Sequence, residues 1–478
     1  MKKSEKLSEA IGNIDEEIIE KADERRTEKE SKTGKKARKF PLKIVAPIAA
    51  CLAIVIGVFA IMPRGVSGFA LAEAAYPKAE EYPNNEMGYN SDKWYAERRA
   101  RWEIGDLIDS DVSEFYKKTA AEFLSGEENR AYSPVNIYMA LAMLGETTDG
   151  ESRQQILDLL GSENIEELRE DAKNMWRANY CDDGAVTSIL ANSIWLDENV
   201  SFKQRTVDTL AENYYASSYR GGLGSDEINK AIQKWLNEQT GGLLSDYVKD
   251  VELDPATVMA LYSTVYFRAK WSNEFDKSEN DTKTFHAPSG DVETEFMNKK
   301  RNFGTYYAGE DFGAVNLGFS EGGVMWFILP DEDKTIDDVL SSGEYLDLIS
   351  RRTDWENPWE NSKSIKINLS VPRFDVSSKI GLSEGLERLG VTDVFDAGKS
   401  DFSPLSDDTV FISEANHAAR VVIDEEGCTA AAFTEILYSG GVALPPEDEM
   451  DFILDRPFVF VITSDTDQPL FIGTVVNP

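Results

Sequence analysis

The sequence predicts an α+β domain from about Asp106 to Pro478, and three observations carry that expectation. Helical periodicity dominates the first part of this stretch, strand periodicity gathers toward its end, and no internal repeat divides it. Val112, Phe115, Tyr116, Thr119 and Phe123 recur at helical spacing and define one apolar face. In SPVNIYMALAMLG, Ser133 is an N-cap, Pro134 suits the first helical position, and the apolar run to Leu144 predicts a helix buried nearly all round. Ile156, Leu157, Leu159 and Leu160 form a shorter helix stopped by Gly161. In SIKINLSVP, Ile365, Ile367, Leu369 and Val371 alternate with Ser364, Lys366, Asn368 and Ser370, a strand with one buried face. The end, RPFVFVITSDTDQPLFIGTVVNP, reads as two apolar strands joined by an acidic turn.

Composition narrows the function. The chain has 478 residues, 41% of them hydrophobic, with 9 Trp, 23 Phe and 18 Tyr, enough for a large core. A formal charge of −36 repels polyphosphate and excludes a nucleic-acid partner. Cys51, Cys181 and Cys428 are far apart and show neither a paired framework nor metal-ligand spacing, so no disulfide is expected. His286 and His417 are the only histidines, which leaves few candidates for a zinc site or a hydrolase relay. The reading is therefore not an enzyme, with no cofactor and no metal.

Before the domain, residues 1–43 are polar and end in the basic cluster GKKARKFPLK, a cytoplasmic tail. Residues 44–62 carry no charge and, at 1.5 Å per helical residue, span roughly 28 Å, a transmembrane anchor. Lys35, Lys36, Arg38, Lys39 and Lys43 precede it while Arg64 and Lys78 are sparse beyond, which places the rest of the chain outside a bacterial-type membrane. FALAEAA offers an alternative, cleavage at an A-x-A site near Ala72 and secretion. Residues 63–105, with prolines, Asn-Asn and acids and no steady period, read as a flexible linker of roughly 35 Å.

Several separated segments resemble one family. SPVNIYMALAMLGETTDG, NKAIQKWLNEQTGGLLSDYV, LYSTVYFRAKWSNEFD, VVIDEEG followed by TAAA, and DRPFVFVI stand in the order and at the spacing of the serpins, and the resemblance runs from about Asp106 to the end. It implies three β-sheets, eight or nine helices and an exposed reactive-centre loop offered as bait. A serine protease, or a cysteine protease, attacks the loop and forms an acyl-enzyme. The cut loop then enters the main sheet as an extra strand and carries the protease with it, in a 1:1 covalent complex with a monomeric inhibitor.

The resemblance makes Glu425, Glu426, Gly427, Cys428, Thr429, Ala430, Ala431 and Ala432 the hinge. As an inserted strand, Cys428, Ala430, Ala432, Thr434, Ile436 and Tyr438 would face the core, and the only charge, Glu435, would face outward. No proline interrupts Gly427 to Gly441, so each inserted amide has a ladder available. Family spacing puts the cut at Gly441–Val442, whereas counting back from Pro445-Pro446 gives Val442–Ala443. These residues are small, and no Lys or Arg lies between Glu425 and Arg456, which favours elastase-like or subtilisin-like targets. Ser133 and His417 match the family's shutter, where strands must separate, and Trp271 matches the tryptophan at the top of the opening sheet. Asn136 and Ser263 depart from it, standing where serine and asparagine are usual, a swap compatible with one preserved cluster. Cys428 departs as well, where Thr or Ser is common. A non-inhibitory carrier is the alternative reading, and the small uncharged hinge argues against it.

Overall fold

A computed structural model describes residues 69–83, 91–108, 111–413, 415–428 and 446–478. The chain divides into two compact units, Met1–Val58 and Phe59–Pro478, and every described residue belongs to the second. Two sheets organise that unit. The first has eight strands, in the order Ala70–Ala72, Ala216–Gly221, Thr187–Asp197, Met259–Lys270, Gly427–Cys428, Asn416–Ile423, Phe374–Gly381, with Cys181–Asp182 paired to Thr187–Asp197. The second has nine, in the order Glu449–Ile453, Ser362–Pro372, Gly290–Ala308, Phe312–Gly318, Val324–Pro330, Phe458–Thr463, Pro469–Val475, Arg130–Tyr132, with Asp281–Ala287 beside Gly290–Ala308. Three sheets were expected; two of them are continuous here because the 19-residue strand Gly290–Ala308 runs through both. Eleven α-helices occur among the described residues, several of them one or two turns long.

The helix Pro134–Thr147 is buried at all but one of its 14 positions, which is why its apolar residues show no polar face. Ser133 caps it by accepting a hydrogen bond from the Asn136 N–H at 3.2 Å. Gly150–Leu160 ends at Gly161, whose φ of 78° is the left-handed geometry that glycine adopts without strain. Between the two sheets, Phe267, Ala269, Val421 and Ile423 from the first join Phe327, Phe458 and Phe460 from the second in one apolar cluster. Phe374 meets the rings of Phe458 and Phe460 at 5.9 and 5.2 Å. Phe458–Thr463 and Pro469–Val475 are covered on both faces, so they read as unbroken apolar runs rather than alternations.

Two expectations about the N-terminal region are corrected. No helix among the described residues is long and apolar enough to cross a membrane, and the expected anchor 44–62 lies outside the described residues, as does the tail 1–43. Ala70 and Ala72, read as a cleavage site, are strand residues paired with Tyr219 and Ser218 in the first sheet. The membrane-held or cleaved-and-secreted localisation is therefore not what the structure supports.

The stretch read as a flexible linker differs too. Its described residues include the edge strand Ala70–Ala72 and the helix Ser91–Gly105. Trp94 is buried and its Nε1–H donates to Oδ2 of Asp183 at 2.7 Å, while Tyr82 N–H donates to the Asp183 carbonyl at 2.8 Å. Tyr76 packs its ring 5.3 Å from Trp176 and 5.6 Å from Tyr180. Arg98 pairs with Glu321 and, with Arg101, with Asp465. The buried side of the Ser91–Gly105 helix is built from Trp94, Arg98 and Arg101 at helical spacing, so two of its three members are charged and no apolar period is visible.

Candidate functional site

In the middle of the first sheet, Met259–Lys270 and Asn416–Ile423 share no ladder among the described residues. The two-residue strand Gly427–Cys428 stands between them, Gly427 opposite Lys270 and Cys428 opposite both Ala269 and Ile423. The chain thus turns back after Asn416–Ile423 and begins a new strand inside its own sheet. The turn is held by Asp424, whose Oδ1 accepts from the N–H groups of Glu426 at 2.9 Å and Gly427 at 3.2 Å. Gly427 has φ 153°, and a Cβ there would lie 2.3 Å from the Ala269 carbonyl oxygen. Only glycine fits this close approach. Cys428 and Cys181 are both buried.

The top of the strand pair is fastened by Trp271. Its Nε1–H donates to the Asp424 carbonyl at 2.9 Å, its backbone N–H to the Glu426 carbonyl at 3.1 Å, and its ring stacks on Phe319 at 4.7 Å. Phe275 N–H reaches the Glu425 carbonyl at 2.9 Å. The Glu425 side chain is buried and accepts from Asn280 Nδ2 at 2.7 Å, with Arg373 Nε 3.8 Å away. Burial works to raise its pKa, but the Asn280 hydrogen bond and the nearby Arg373 and Lys277 cations together hold it below the ordinary carboxylate value. Glu426 pairs with Lys277 at 3.0 Å. Asn280, Phe275 and Arg373 were not singled out from the sequence, because they lie 52 to 150 positions from Glu425 and join it only through folding. Asp424 was not singled out either, although an Asp placed two residues before Glu426 and three before Gly427 is a signal for an Asx turn.

Lower in the sheet, the N-terminus of the Pro134–Thr147 helix touches both strands that flank Gly427–Cys428. Ser133 N–H donates to Nε2 of His417 on Asn416–Ile423 at 3.1 Å, and Asn136 Nδ2 donates to the Ser263 carbonyl on Met259–Lys270 at 2.8 Å. Ser133, Asn136, Ser263 and His417 therefore form one bridge, with Ser263 contributing its main chain to the Asn136 bond. His417 is fully enclosed, and burial pushes its pKa down to about 4. A small cleft lies beside the bridge between the two strands, lined by Thr264, Val265, Tyr266, Ala418, Ala419 and Arg420.

Thr429, Ala430, Ala431 and Ala432 of the hinge, and Gly441, Val442 and Ala443 at the expected cut, lie outside the described residues. Beyond them the chain re-enters as Glu449–Ile453, parallel to Ser362–Pro372 in the second sheet. The expected bait thus begins as a strand in one sheet and ends as a strand in the other.

The family model for serpins (serine protease inhibitors) matches residues 112–478. Serpin-ZX of Arabidopsis thaliana is 27% identical over 388 residues, covering 78% of this chain and 97% of that protein. The alpha-1-antitrypsin-like protein GS55-MS of Ictidomys tridecemlineatus is 28% identical over 365 residues, covering 74% and 84%. Among solved structures, the native state of the thermophilic serpin tengpin superposes with a TM-score of 0.67 at 27% identity, covering 78% of this chain and 95% of that one. Thyroxine-binding globulin in complex with thyroxine shares the fold, with a TM-score of 0.65 at 22% identity over 79% and 99% of the two chains. With the strand Gly427–Cys428 standing between Met259–Lys270 and Asn416–Ile423 and a family match over residues 112–478, this chain belongs to the serpin family.

Proposed function

We propose that this serpin inhibits serine proteases as a suicide substrate, cut at Gly441–Val442 or Val442–Ala443. The observation that carries the reading is the seating of Gly427–Cys428 between two sheet strands that have no direct ladder with each other. A strand begun there has main-chain partners on both sides and needs only chain slack to continue, and cutting the bait supplies the slack. The protease serine hydroxyl adds to the scissile carbonyl, the peptide bond breaks, and the new amine leaves with the C-terminal strands. The loop stays esterified to the protease. About twelve inserted residues at roughly 3.3 Å each would then move that protease some 40 Å, before water completes hydrolysis.

Small residues at the cut and the lack of any Lys or Arg between Glu425 and Arg456 favour elastase-like targets, with subtilisin-like enzymes next. A carrier role is disfavoured by the uncharged, mostly small run Cys428–Ala432, which suits insertion. The test is incubation with a pancreatic-type elastase followed by a denaturing gel and the mass of the freed C-terminal peptide. An adduct stable in detergent, with a peptide starting at Val442 or Ala443, supports the proposal. Complete turnover without an adduct for elastase and subtilisin alike removes it.

A further inference from the structure

A cavity of about 290 Å³ opens where the helices Pro134–Thr147, Gly150–Leu160, Ile165–Asn179 and Gln204–Asn213 meet the loop at Ser403 and Pro404. Its charged lining is Arg153, Arg169, Lys203 and Arg205 against the single carboxylate Glu146. That reverses the sign of a chain with 86 acidic and 50 basic residues. Glu146 is already neutralised: Arg169 donates to both of its oxygens, at 2.6 and 2.7 Å, and the Tyr214 hydroxyl donates to one at 3.0 Å.

The remaining ionic partners are solvent-exposed carboxylates, with Glu166 3.5 Å from Arg169 among them, while Arg153 and Lys203 also donate to the Gly145 and Ser403 carbonyls at 3.1 and 2.6 Å. Arg153 reaches Asp149 at 3.2 Å and Lys203 reaches Asp407 at 2.6 Å, but those carboxylates are 55% and 88% exposed and neither lines the cavity. Exposed pairs of this kind are worth about 0–1 kcal/mol and exchange readily for a better anion. The helix Gln204–Asn213 adds to the field. Its N-cap is Lys203, which makes no side-chain cap, and its first turn contains no acid. Two cations, Lys203 and Arg205, therefore sit at the positive end of a helix, where carboxylates are normally favoured.

We infer that this cavity binds a compact polyanion carrying two or three phosphate or carboxylate groups, of about the size of pyrophosphate or citrate. Arg153 brings a guanidinium group suited to the oxygens of such anions, Lys203 and Arg205 close the open side, and Arg169 stays on Glu146. The cations that meet the anion come from two different helical segments, so a bound anion ties them together and raises the thermal midpoint.

The experiment is calorimetric titration of the full chain with pyrophosphate and, separately, with citrate, at constant ionic strength. It is repeated on Arg205→Ala and on the double variant Lys203→Ala/Arg205→Ala, whose side chains are too exposed to hold the fold. Unliganded thermal midpoints of the variants check that. One-to-one binding to the wild type, weakened at least about tenfold in the double variant, supports the site. Response to pyrophosphate alone assigns it to phosphate, and to citrate alone to carboxylate. Absence of binding of either probe at millimolar concentration, or equal binding by wild type and double variant, overturns it.

Discussion

The backbone N–H of Ser133 donates to Nε2 of His417 across 3.1 Å, joining a helix N-terminus to one of the two strands that flank the hinge. An acceptor at Nε2 requires the neutral ring, and burial depresses the pKa from 6.5 to about 4. The unfolded chain binds a proton below pH 6.5, whereas the folded one does so only near 4. Stability from this residue is therefore present at neutral pH and lost as pH falls through that window, by about 3 kcal/mol at pH 4. Unfolding of the wild type and of His417→Gln, followed between pH 7.5 and 4, should converge as the wild type loses this contribution. Parallel curves would mean that the proton is not taken up at the bridge.

Gly427→Ala should damage inhibition more than folding. The added methyl meets the Ala269 carbonyl oxygen, and φ of 153° strains any residue with a Cβ. The hinge strand is then expelled from the sheet, and the protease has time to hydrolyse the ester. The ratio of cleaved inhibitor to covalent adduct should rise several-fold, while the thermal midpoint of the uncut protein changes by only a few degrees. An unchanged ratio would show that Gly427–Cys428 is not the seed of insertion.

Ala430→Arg tests the next inward position assigned by the strand alternation. Burying an unpaired cation during insertion costs several kcal/mol, which is enough to let deacylation win. The variant should behave as a substrate with the same cleavage site. Retention of full adduct formation would contradict the assigned inward face.

Trp94→Ala addresses the N-terminal segment. The indole is 2% exposed and hydrogen-bonded to Asp183, so its removal should cost about 3–5 kcal/mol by lost burial and the cavity left behind. Thermal or denaturant unfolding reads this directly. A loss below about 1 kcal/mol would make the segment peripheral to the stability of the fold.

Much of this architecture was legible because local signals agreed with the tertiary result. Ser133-Pro134 ahead of an apolar run gave the buried helix, and alternation in Ser362–Pro372 gave a half-covered strand. The sequence was silent wherever a buried face is built from charged or amphipathic side chains. Trp94, Arg98 and Arg101 bury against Asp183, Glu321 and Asp465, and that ionic surface resembles the polar composition of a tether. The shutter swap shows a second limit. Residue types suggested a hydroxyl and an amide exchanged between Asn136 and Ser263, yet the bond formed runs to the Ser263 carbonyl, which any residue would supply. Side-chain identity reveals which groups are near, not which atoms meet.

The central claim is that the severed bait becomes a strand between Met259–Lys270 and Asn416–Ile423. The most direct measurement nicks the loop with a protease that turns it over freely, then compares thermal unfolding of nicked and intact chains. Filling the sheet should raise the midpoint by tens of degrees, since a whole strand of ladder bonds and inward side chains is added. A nicked protein that melts where the intact one does would contradict the account.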